Sequence, residues 1–332
     1  MKHENMTKEI VLQSQSQKLR AAVFEQGDLM EVFEEESGSS QYMGNIYRGR
    51  VENVLPGMQA AFVDIGLDKN AFLYVGDAVL SSFEEDVKLD PATHIRIEHV
   101  LKPRQELLVQ IIKEPVGTKG ARISVNLTLP GRFVVLLPQV NYIGVSRKII
   151  DADERTRLRD IADGAKPEGM GVIIRTLAEG IEGEEITEDI TQLVAMWLAL
   201  QPKIPHVSVP GLVHKDVDLI SRLVRDWIDQ DVEKITVDQD ETAQILRKAL
   251  QSIEHPASKH IHVITGEDLF ARYGVDEEIR KTLRPKVWLK SGGYLVIQQT
   301  EALIVIDVNT GKYVGQRSTR GNGGPYEPRG CR

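Results

Sequence analysis

An acidic residue follows a short apolar run near the end of the chain, and its chemistry is that of a metal ligand. Residues 303–306 are all apolar, and Asp307 and Asn309 come soon after them. In α/β folds such a run forms a buried strand whose carboxyl end presents ligand groups. The carboxylate of Asp307 suits Mg²⁺, and Asn309 falls on the same strand face two residues on. The competing interpretation is an Asx turn that only ends the strand, because one carboxylate is few for metal-assisted phosphodiester hydrolysis.

Aromatic residues in the first quarter of the chain occupy runs that favour β-strands. Phe62 and Phe72 are each the aromatic of an apolar run, and Tyr47 is next to Arg48 and near Arg50. Single-stranded nucleic acid is commonly bound by aromatic faces that stack on bases and by cations that follow the phosphates. Aromatic residues in strands are more often part of a core, so the pattern leaves both interpretations open.

The charge of the chain is unevenly distributed. Its net charge at pH 7 is −8, which argues mildly against nucleic acid as a partner. Residues 101–150 carry a net charge of +6, since their only acids are Glu106 and Glu114. The eight basic residues of this window are Lys102, Arg104, Lys113, Lys119, Arg122, Arg132, Arg147 and Lys148. A solvated face is the plainer explanation of this window, and a phosphate-binding surface is the alternative.

A third pattern combines a cation with a hydroxyl. Residues 171–174 favour a strand that runs into Arg175 and Thr176, and a guanidinium beside a hydroxyl suits a phosphate group. Taken alone, the signal is weak. The sequence has no P-loop, no GxSxG motif and no GxGxxG motif after a strand, so common nucleotide-binding and hydrolase signatures are missing.

The bulk composition is that of a globular protein of two or more domains. No apolar stretch approaches the length of a membrane span, and no apolar segment resembling a signal peptide begins the chain. The one cysteine, Cys331, excludes an intramolecular disulfide and a zinc-binding cysteine pair, and it fits a reducing, cytoplasmic location. His260 and His262 share a strand face, where lone histidines are more often surface residues than metal ligands.

The pattern of apolar residues predicts a multidomain α+β fold. Residues 8–35 predict short strands with a turn at Gln26-Gly27-Asp28, and the Gly- and Pro-punctuated strands within 42–125 predict a small barrel such as an OB-fold. Strands are expected at 45–51, 60–66, 71–75, 107–112, 122–125, 133–137, 171–175, 235–237, 260–264 and within 285–310. Helices are expected at 153–162, 187–200, 211–232 and 241–253. Residues 318–332 are rich in Gly, Pro and Arg, so we expect them to be disordered.

Three segments together, in their order and spacing, resemble the ribonuclease E/G family. They are GNIYRGRV at 44–51 with AAFVDIG at 60–66, GVIIRT at 171–176, and TEALIVIDVNTG at 300–311. The resemblance covers about residues 8–316 and implies an S1-type OB-fold barrel and a 5′-sensor domain inserted into an RNase H-like α/β domain. The implied layout is 1–41 and 210–284 for the RNase H-like domain, 42–125 for the S1-type RNA-binding domain, 126–209 for the 5′-sensor domain, 285–317 for the start of a DNase I-like catalytic domain, and 318–332 for an aberrant tail.

The resemblance also implies roles for individual residues. Phe62, Phe72 and Lys119 match the residues with which the family contacts RNA. Gly131, Val135, Arg175 and Thr176 match the pocket that binds a 5′-monophosphate. Asp307 matches the first magnesium ligand, and Asn309 matches the polar catalytic residue beside it.

The activity that the resemblance implies is that of a Mg²⁺-dependent endoribonuclease of RNA processing and decay. Such an enzyme cuts single-stranded, A/U-rich segments of mRNA and rRNA precursors and leaves a 5′-phosphate and a 3′-hydroxyl. The match stops near Arg317, before the family's second magnesium aspartate, a further sensor arginine and a Cys-Pro-x-Cys zinc link. We therefore expect this chain to bind RNA and to cleave it poorly or not at all.

Two alternatives to a working nuclease remain at this point. The first is a non-catalytic fragment that binds single-stranded RNA, and the second is a structural α/β protein unrelated to RNA. A homodimer is compatible with the resemblance, but a higher assembly is not expected, because the zinc-linking cysteines are missing.

Overall fold

Strands account for most of the regular elements in the described part of the chain. The computed structural model describes residues 7–15, 17–36, 41–80, 95–229, 231–253, 255–289, 292–300 and 303–310. Its strands are β1 (Lys8–Gln15), β2 (Lys18–Glu25), β3 (Asp28–Glu36), β4 (Ile46–Leu55), β5 (Ala60–Asp64), β6 (Ala71–Tyr74), β7 (Glu106–Lys113), β8 (Arg122–Ser124), β9 (Leu129–Pro130), β10 (Val134–Leu137), β11 (Ile143–Val145), β12 (Gly171–Ile174), β13 (Gly211–His214), β14 (Val232–Val237), β15 (Ile261–Val263), β16 (Lys286–Trp288), β17 (Tyr294–Gln299) and β18 (Ile304–Asn309). Its helices are α1 (Ile97–Val100), α2 (Ala152–Ala165), α3 (Gly183–Leu200), α4 (Leu219–Asp226), α5 (Asp240–Ser252), α6 (Leu269–Arg272) and α7 (Val275–Thr282).

The chain divides into two units. The first unit comprises Met1–Phe33, Val232–Gln244 and Ala257–Arg332, and the second comprises Glu34–Asp231 and Ile245–Pro256. None of the helices in the described residues is both long enough and apolar enough to cross a membrane. The predicted disorder of residues 318–332 lies outside the described residues, as does Cys331.

A closed five-stranded barrel forms the first part of the second unit. Its strands follow the order β4-β5-β6-β8-β7, and pairing of β4 with β7 closes the ring. Alternate residues along the strands point inward. The barrel interior holds Val51, Ala61, Val63, Leu73, Val109, Ile111 and Ile123. This closed ring confirms the prediction of a small OB-like barrel. Its interior buries the apolar residues that alternate along the strands.

A four-stranded sheet backed by two helices forms the next part of the second unit. The strand order is β11-β12-β10-β9, and α2 and α3 cover it. The apolar stripe of α3 consists of Ile186, Ile190, Leu193, Trp197 and Leu200. The helices predicted at 153–162 and 187–200 are thus confirmed; α2 is slightly longer at both ends, and α3 begins one turn earlier and ends at Leu200 as predicted.

The helix predicted over residues 211–232 is only partly correct. Residues 211–214 form β13, which pairs antiparallel with β4, and the helix α4 covers only Leu219–Asp226. Asp218 begins this helix, since its side chain accepts a hydrogen bond from the backbone N–H of Ser221. The prediction failed because four residues are too few to separate a helical from a strand period, and because β13 pairs with the start of β4, which β5 does not reach.

The first unit is built on a five-stranded mixed sheet in the order β15-β14-β1-β2-β3. β1 runs parallel to β14 and antiparallel to β2. The predicted turn after β2 is confirmed, with Gln26 at φ 52° and Gly27 at φ 83°, the left-handed backbone that a two-residue hairpin turn needs. Leu269 and Phe270 of α6 are fully buried with Val11 of β1. Helices α6 and α7 were not anticipated from the sequence.

The last strands of the first unit form a separate three-stranded antiparallel sheet, β16-β17-β18. The sequence predicted a buried strand that ends before Asp307, and this prediction is wrong. β18 extends through Asn309, so Asp307 lies inside the strand, and Ile304 and Ile306 are 64% and 57% exposed. The apolar residues of β18 lie on a strand that pairs with β17, but no other layer covers them among the described residues.

Within the second unit, Glu154 ties α2 to the chain before α3, and this contact yields a first prediction. Its carboxylate accepts two 2.7 Å hydrogen bonds from Arg157 and one from the backbone N–H of Gly180. The hydrogen bonds from Arg157 are the main cause that lowers the pKa of Glu154 to about 2 from 4.5. Because the folded pKa lies below the ordinary value, the stabilisation is complete above about pH 4.5 and is lost as the pH falls towards 2.

We therefore expect Glu154→Gln to lower the free energy of unfolding by about 1 kcal/mol at pH 7, a figure kept small because Arg157 is partly in water. Urea denaturation at pH 7 and pH 3 measures the effect, which should be smaller at pH 3. Glu168→Gln, at an exposed position near the end of α2, should leave the free energy of unfolding unchanged at both pH values. An equal loss at both pH values would contradict this account of Glu154.

Candidate nucleic-acid interface

Two phenylalanine rings lie side by side on the outside of the barrel. Phe62 on β5 is directly opposite Phe72 on β6, and the ring centroids are 6.1 Å apart with an edge-on angle of 69°. Their neighbours Val63 and Leu73 are fully buried, whereas neither phenylalanine is. Since side chains alternate along a strand, the barrel interior takes the neighbours and leaves both rings on the outer face. Both rings are therefore half-buried on the outer face of the barrel.

Basic residues continue the row that the two rings begin. Arg122 on β8 is in register with Phe72, and Lys113 on β7 is in register with Arg122. The carboxylate of Asp77 holds the guanidinium of Arg122 with hydrogen bonds of 2.9 and 2.7 Å. Lys113 is exposed. The register thus places an aromatic pair beside a cationic strip on one surface of the barrel.

Lys119 lies in the turn that leads into β8. Backbone hydrogen bonds between Val116 and Lys119 close this turn, and the side chain of Lys119 is exposed. A Cβ atom at Gly120 would overlap the carbonyl oxygen of Asn70, so only glycine lets the turn approach the start of β6. Lys69, which sequence reasoning missed, donates a 2.5 Å hydrogen bond to Gly117 in the same turn. Two lysines, Lys69 and Lys119, therefore belong to the turn that leads into β8.

Tyr47 does not belong to this surface. The ring is only 5% exposed and lies among the buried residues of the barrel, where burial raises the pKa of its hydroxyl. Arg48 and Arg50 both contact Glu106, at 2.8 and 3.4 Å. The aromatic-core interpretation is thus correct for Tyr47, and the stacking interpretation stays a prediction for Phe62 and Phe72.

The residues of the expected 5′-phosphate pocket lie around the β9–β10 turn and the end of β12. Arg175 donates from Nη1 to the carbonyl oxygen of Gly131 at 2.7 Å. Val135 on β10 is half-buried and lies opposite Ile173 of β12. The hydroxyl of Thr176 is exposed and lies 2.8 Å from the hydroxyl of Ser146. The fold therefore brings Gly131 and Arg175 into contact and leaves Thr176 at the surface beside them.

Two acidic residues that the sequence did not indicate organise this pocket. The carboxylate of Asp226 accepts a 2.6 Å hydrogen bond from Arg175 Nη1 and two 2.9 Å hydrogen bonds from Arg225. Burial raises the pKa of Asp226, but the hydrogen bonds and charges of both arginines outweigh it and lower the pKa overall. Asp226 therefore stays ionised and offsets part of the charge of Arg175.

Asp189 of α3 fixes the backbone of the β9–β10 turn. Its carboxylate accepts hydrogen bonds from the backbone N–H groups of Arg132, Phe133 and Val134, at 3.3, 2.8 and 3.0 Å. Gly131 lies directly against it, since a Cβ atom there would come within 2.5 Å of the carboxylate. No sequence signal marks Asp189, which is one acid among several on the polar side of its helix.

Asp307 and Asn309 face the same side of β18, as their spacing predicted. The amide of Asn309 donates a 2.9 Å hydrogen bond to Asp307 Oδ2, and Asp307 is exposed. One carboxylate and one amide are hard oxygen donors of the kind that Mg²⁺ accepts together with water and substrate phosphates. Among the described residues, no three His, Cys, Asp or Glu side chains lie close enough together to bind one metal ion. His260 and His262 are exposed and belong to no such cluster in this part of the chain. The donor type fits magnesium, while the protein supplies few donors here.

The fold and the barrel surface define a class of protein. This is a mixed α+β chain with an OB-like barrel, a fold whose faces often bind oligonucleotides or oligosaccharides. The model of the Ribonuclease E/G family matches residues 128–322, and the chain belongs to that family.

Individual relatives are similar over nearly the whole chain. Ribonuclease G of Salmonella typhimurium is 38% identical over 317 residues, and Ribonuclease G of Escherichia coli is 37% identical over 318 residues. Both alignments cover 94% of this chain and 64% of the relative. Ribonuclease E of a Nostoc species is 39% identical over 320 residues, with 95% of this chain and 45% of the relative covered. The chain thus spans a little under two thirds of the length of the Ribonuclease G proteins.

The contact between Gly131 and Asp189 gives a second prediction. Gly131→Ala must displace the Asp189 carboxylate from three backbone N–H groups, so we expect a loss of about 1–3 kcal/mol in the free energy of unfolding. Gly164→Ala is the matched control, because Gly164 lies in α2 with open space around its Cα and alanine favours helices. Urea denaturation should show a loss for the first variant and none for the control. Equal stability of the two variants would contradict the role given to Asp189.

Proposed function

We propose that the outer face of the barrel binds single-stranded RNA. The observation that carries this proposal is the half-buried Phe62–Phe72 pair on the outer face of the barrel, with Arg122 in register beside Phe72. Exposed rings stack on unpaired bases whatever their identity, and neighbouring cations follow the phosphates. The overall negative charge of the chain is no obstacle, since affinity depends on the local surface that meets the phosphates.

We propose further that Arg175 and Thr176, with Gly131 and Val135, bind the 5′-monophosphate of an RNA. The hydrogen bonds of Arg175 to Gly131 and to Asp226 come from Nη1, so the other N–H groups of the guanidinium can donate to phosphate oxygens. Asp226 orients the guanidinium of Arg175, and its negative charge offsets part of the positive charge there. A 5′-monophosphate carries more negative charge than a 5′-hydroxyl end, and it therefore competes better with Asp226 for the arginine.

The wider activity that we propose is endoribonucleolytic cleavage of single-stranded, A/U-rich RNA, as part of RNA processing and decay. Asp307 would hold Mg²⁺ through a carboxylate oxygen, and Asn309 orients that carboxylate through its amide. The ion, when bound, supplies the positive charge that activates water and stabilises the phosphate under attack. The similarity to Ribonuclease G and Ribonuclease E supports this assignment.

A second candidate function is RNA binding without cleavage. It is favoured by the sparse donor set at Asp307, since the described residues contain no cluster of three metal-ligating side chains. Metal-assisted phosphodiester cleavage commonly uses two ions or several carboxylates, and β18 presents one. Binding and cleavage must therefore be measured separately.

The barrel surface gives a third prediction, which concerns binding. Phe62→Ala and Phe72→Ala should each weaken the binding of a short oligouridylate by about 1–3 kcal/mol, because each removes a stacking ring. Fluorescence anisotropy without Mg²⁺ measures the affinity. Leu198→Ala, which removes an exposed apolar side chain from α3, should bind RNA like the unaltered chain. If both phenylalanine variants bind as the unaltered chain does, this face is not the RNA-binding surface.

A fourth prediction concerns cleavage. With Mg²⁺ and a fluorogenic RNA that carries a 5′-monophosphate, any cleavage by the chain should be abolished by Asp307→Ala and retained by Asp163→Ala. Asp163 is an exposed acid on α2 and controls for the loss of one negative charge. Tight, salt-dependent binding with no cleavage by the unaltered chain would instead establish the second candidate function.

A further inference from the structure

The hairpin of β16 and β17 carries an aromatic pair that the proposed function does not use. Trp288 is directly opposite Tyr294, with ring centroids 5.1 Å apart at an angle of 56°. Trp288 is 65% exposed. The ammonium group of Lys286 lies 4.3 Å from the indole centroid and 3.7 Å from the tyrosine centroid. The hairpin thus presents an exposed indole and a cation to solvent, beside the half-buried ring of Tyr294.

The strand register places these groups on the same face as Asp307. Residues directly opposite each other in an antiparallel pair point to the same side of the sheet. One row across the three strands consists of Trp288, Tyr294 and Asn309, and the next consists of Lys286, Val296 and Asp307. At about 4.8 Å between strands, Trp288 lies roughly 10 Å from the position of Asn309.

The two faces of this sheet differ in character. The face with the rings also carries Lys286, Gln298, Asp307 and Asn309, together with Val296 and Val305. The opposite face carries Val287, Leu295, Ile297, Ile304, Ile306 and Val308, and Gln299 is the one polar residue paired on that face. Packing against another layer of protein would use the apolar face, so the exposed indole is not explained as a core residue that awaits a partner. An exposed tryptophan among polar and charged neighbours is instead typical of a surface that stacks on a ligand.

We propose that Trp288 and Tyr294, with Lys286, form a second stacking platform for single-stranded RNA on the Asp307 face of the sheet. This inference rests on the proposed function. A base stacks on the exposed indole, Tyr294 supports the indole from the neighbouring strand, and Lys286 meets a phosphate. The nucleotide held there lies within a nucleotide or two of the phosphate that Asp307 faces, so the platform positions the RNA relative to Asp307.

The test measures oligouridylate binding to the full chain by anisotropy in the absence of Mg²⁺. We expect Trp288→Ala to weaken binding about tenfold and Trp288→Phe to restore most of the affinity, because phenylalanine still offers a ring. Ile304→Ala is the matched control, since Ile304 is similarly exposed on the opposite face. Lys286→Gln should reduce the slope of log affinity against log salt by about one phosphate contact. Circular dichroism confirms that each variant is folded.

Each outcome decides something. Binding that falls with Phe62→Ala but is the same for Trp288→Ala and Ile304→Ala overturns this inference and leaves the proposed function standing. Equal losses for Trp288→Ala and Trp288→Phe also overturn it, because an aromatic ring would then not be the property that matters. No RNA binding by the unaltered chain overturns the proposed function and this inference together.

Discussion

Closure of the barrel is the interaction on which the candidate nucleic-acid interface depends. Ile46 to Arg50 of β4 pair with Glu106 to Gln110 of β7, and this pairing turns an open sheet into a ring with an inside and an outside. Without it, β4 and β7 would be edges, and neither face of β5 or β6 would be sealed from water. Once the ring is closed, Val63 and Leu73 are buried and the rings beside them must face outward. The outward position of both rings is thus a consequence of the same alternation that forms the core.

Alternation along the sequence was enough to predict the barrel strands, but it could not assign every residue to the correct face. Phe62 and Phe72 share a row because their strands pair in register, which a single sequence does not reveal. Tyr47 has the same aromatic character and a nearby arginine, yet β4 is covered on both sides at its start. Ile46 packs into the core under α2 and α3, and Tyr47 packs into the barrel. A strand that is buried on both faces leaves no outer position for an aromatic ring.

The polar sites show the same division between local and distant information. Asp307 and Asn309 were correctly predicted to share a face, because a two-residue spacing fixes this in any strand. Their exposure was not predicted, since burial depends on what covers the sheet. Asp189 and Asp226 escaped notice because they act on residues 55 and 51 positions away in the sequence. Carboxylates that organise a loop from a distant helix have no local signature.

The central claim is that unpaired RNA lies across Phe62 and Phe72 on the outer face of the barrel. Photo-crosslinking of the chain to a short RNA that contains 4-thiouridine, followed by mass spectrometry of the digested protein, tests this contact directly. The account predicts that crosslinked peptides include Phe62 or Phe72, and that unlabelled single-stranded RNA suppresses these crosslinks in competition. Crosslinks confined to other peptides, or crosslinks at these rings that unlabelled RNA does not suppress, would contradict it.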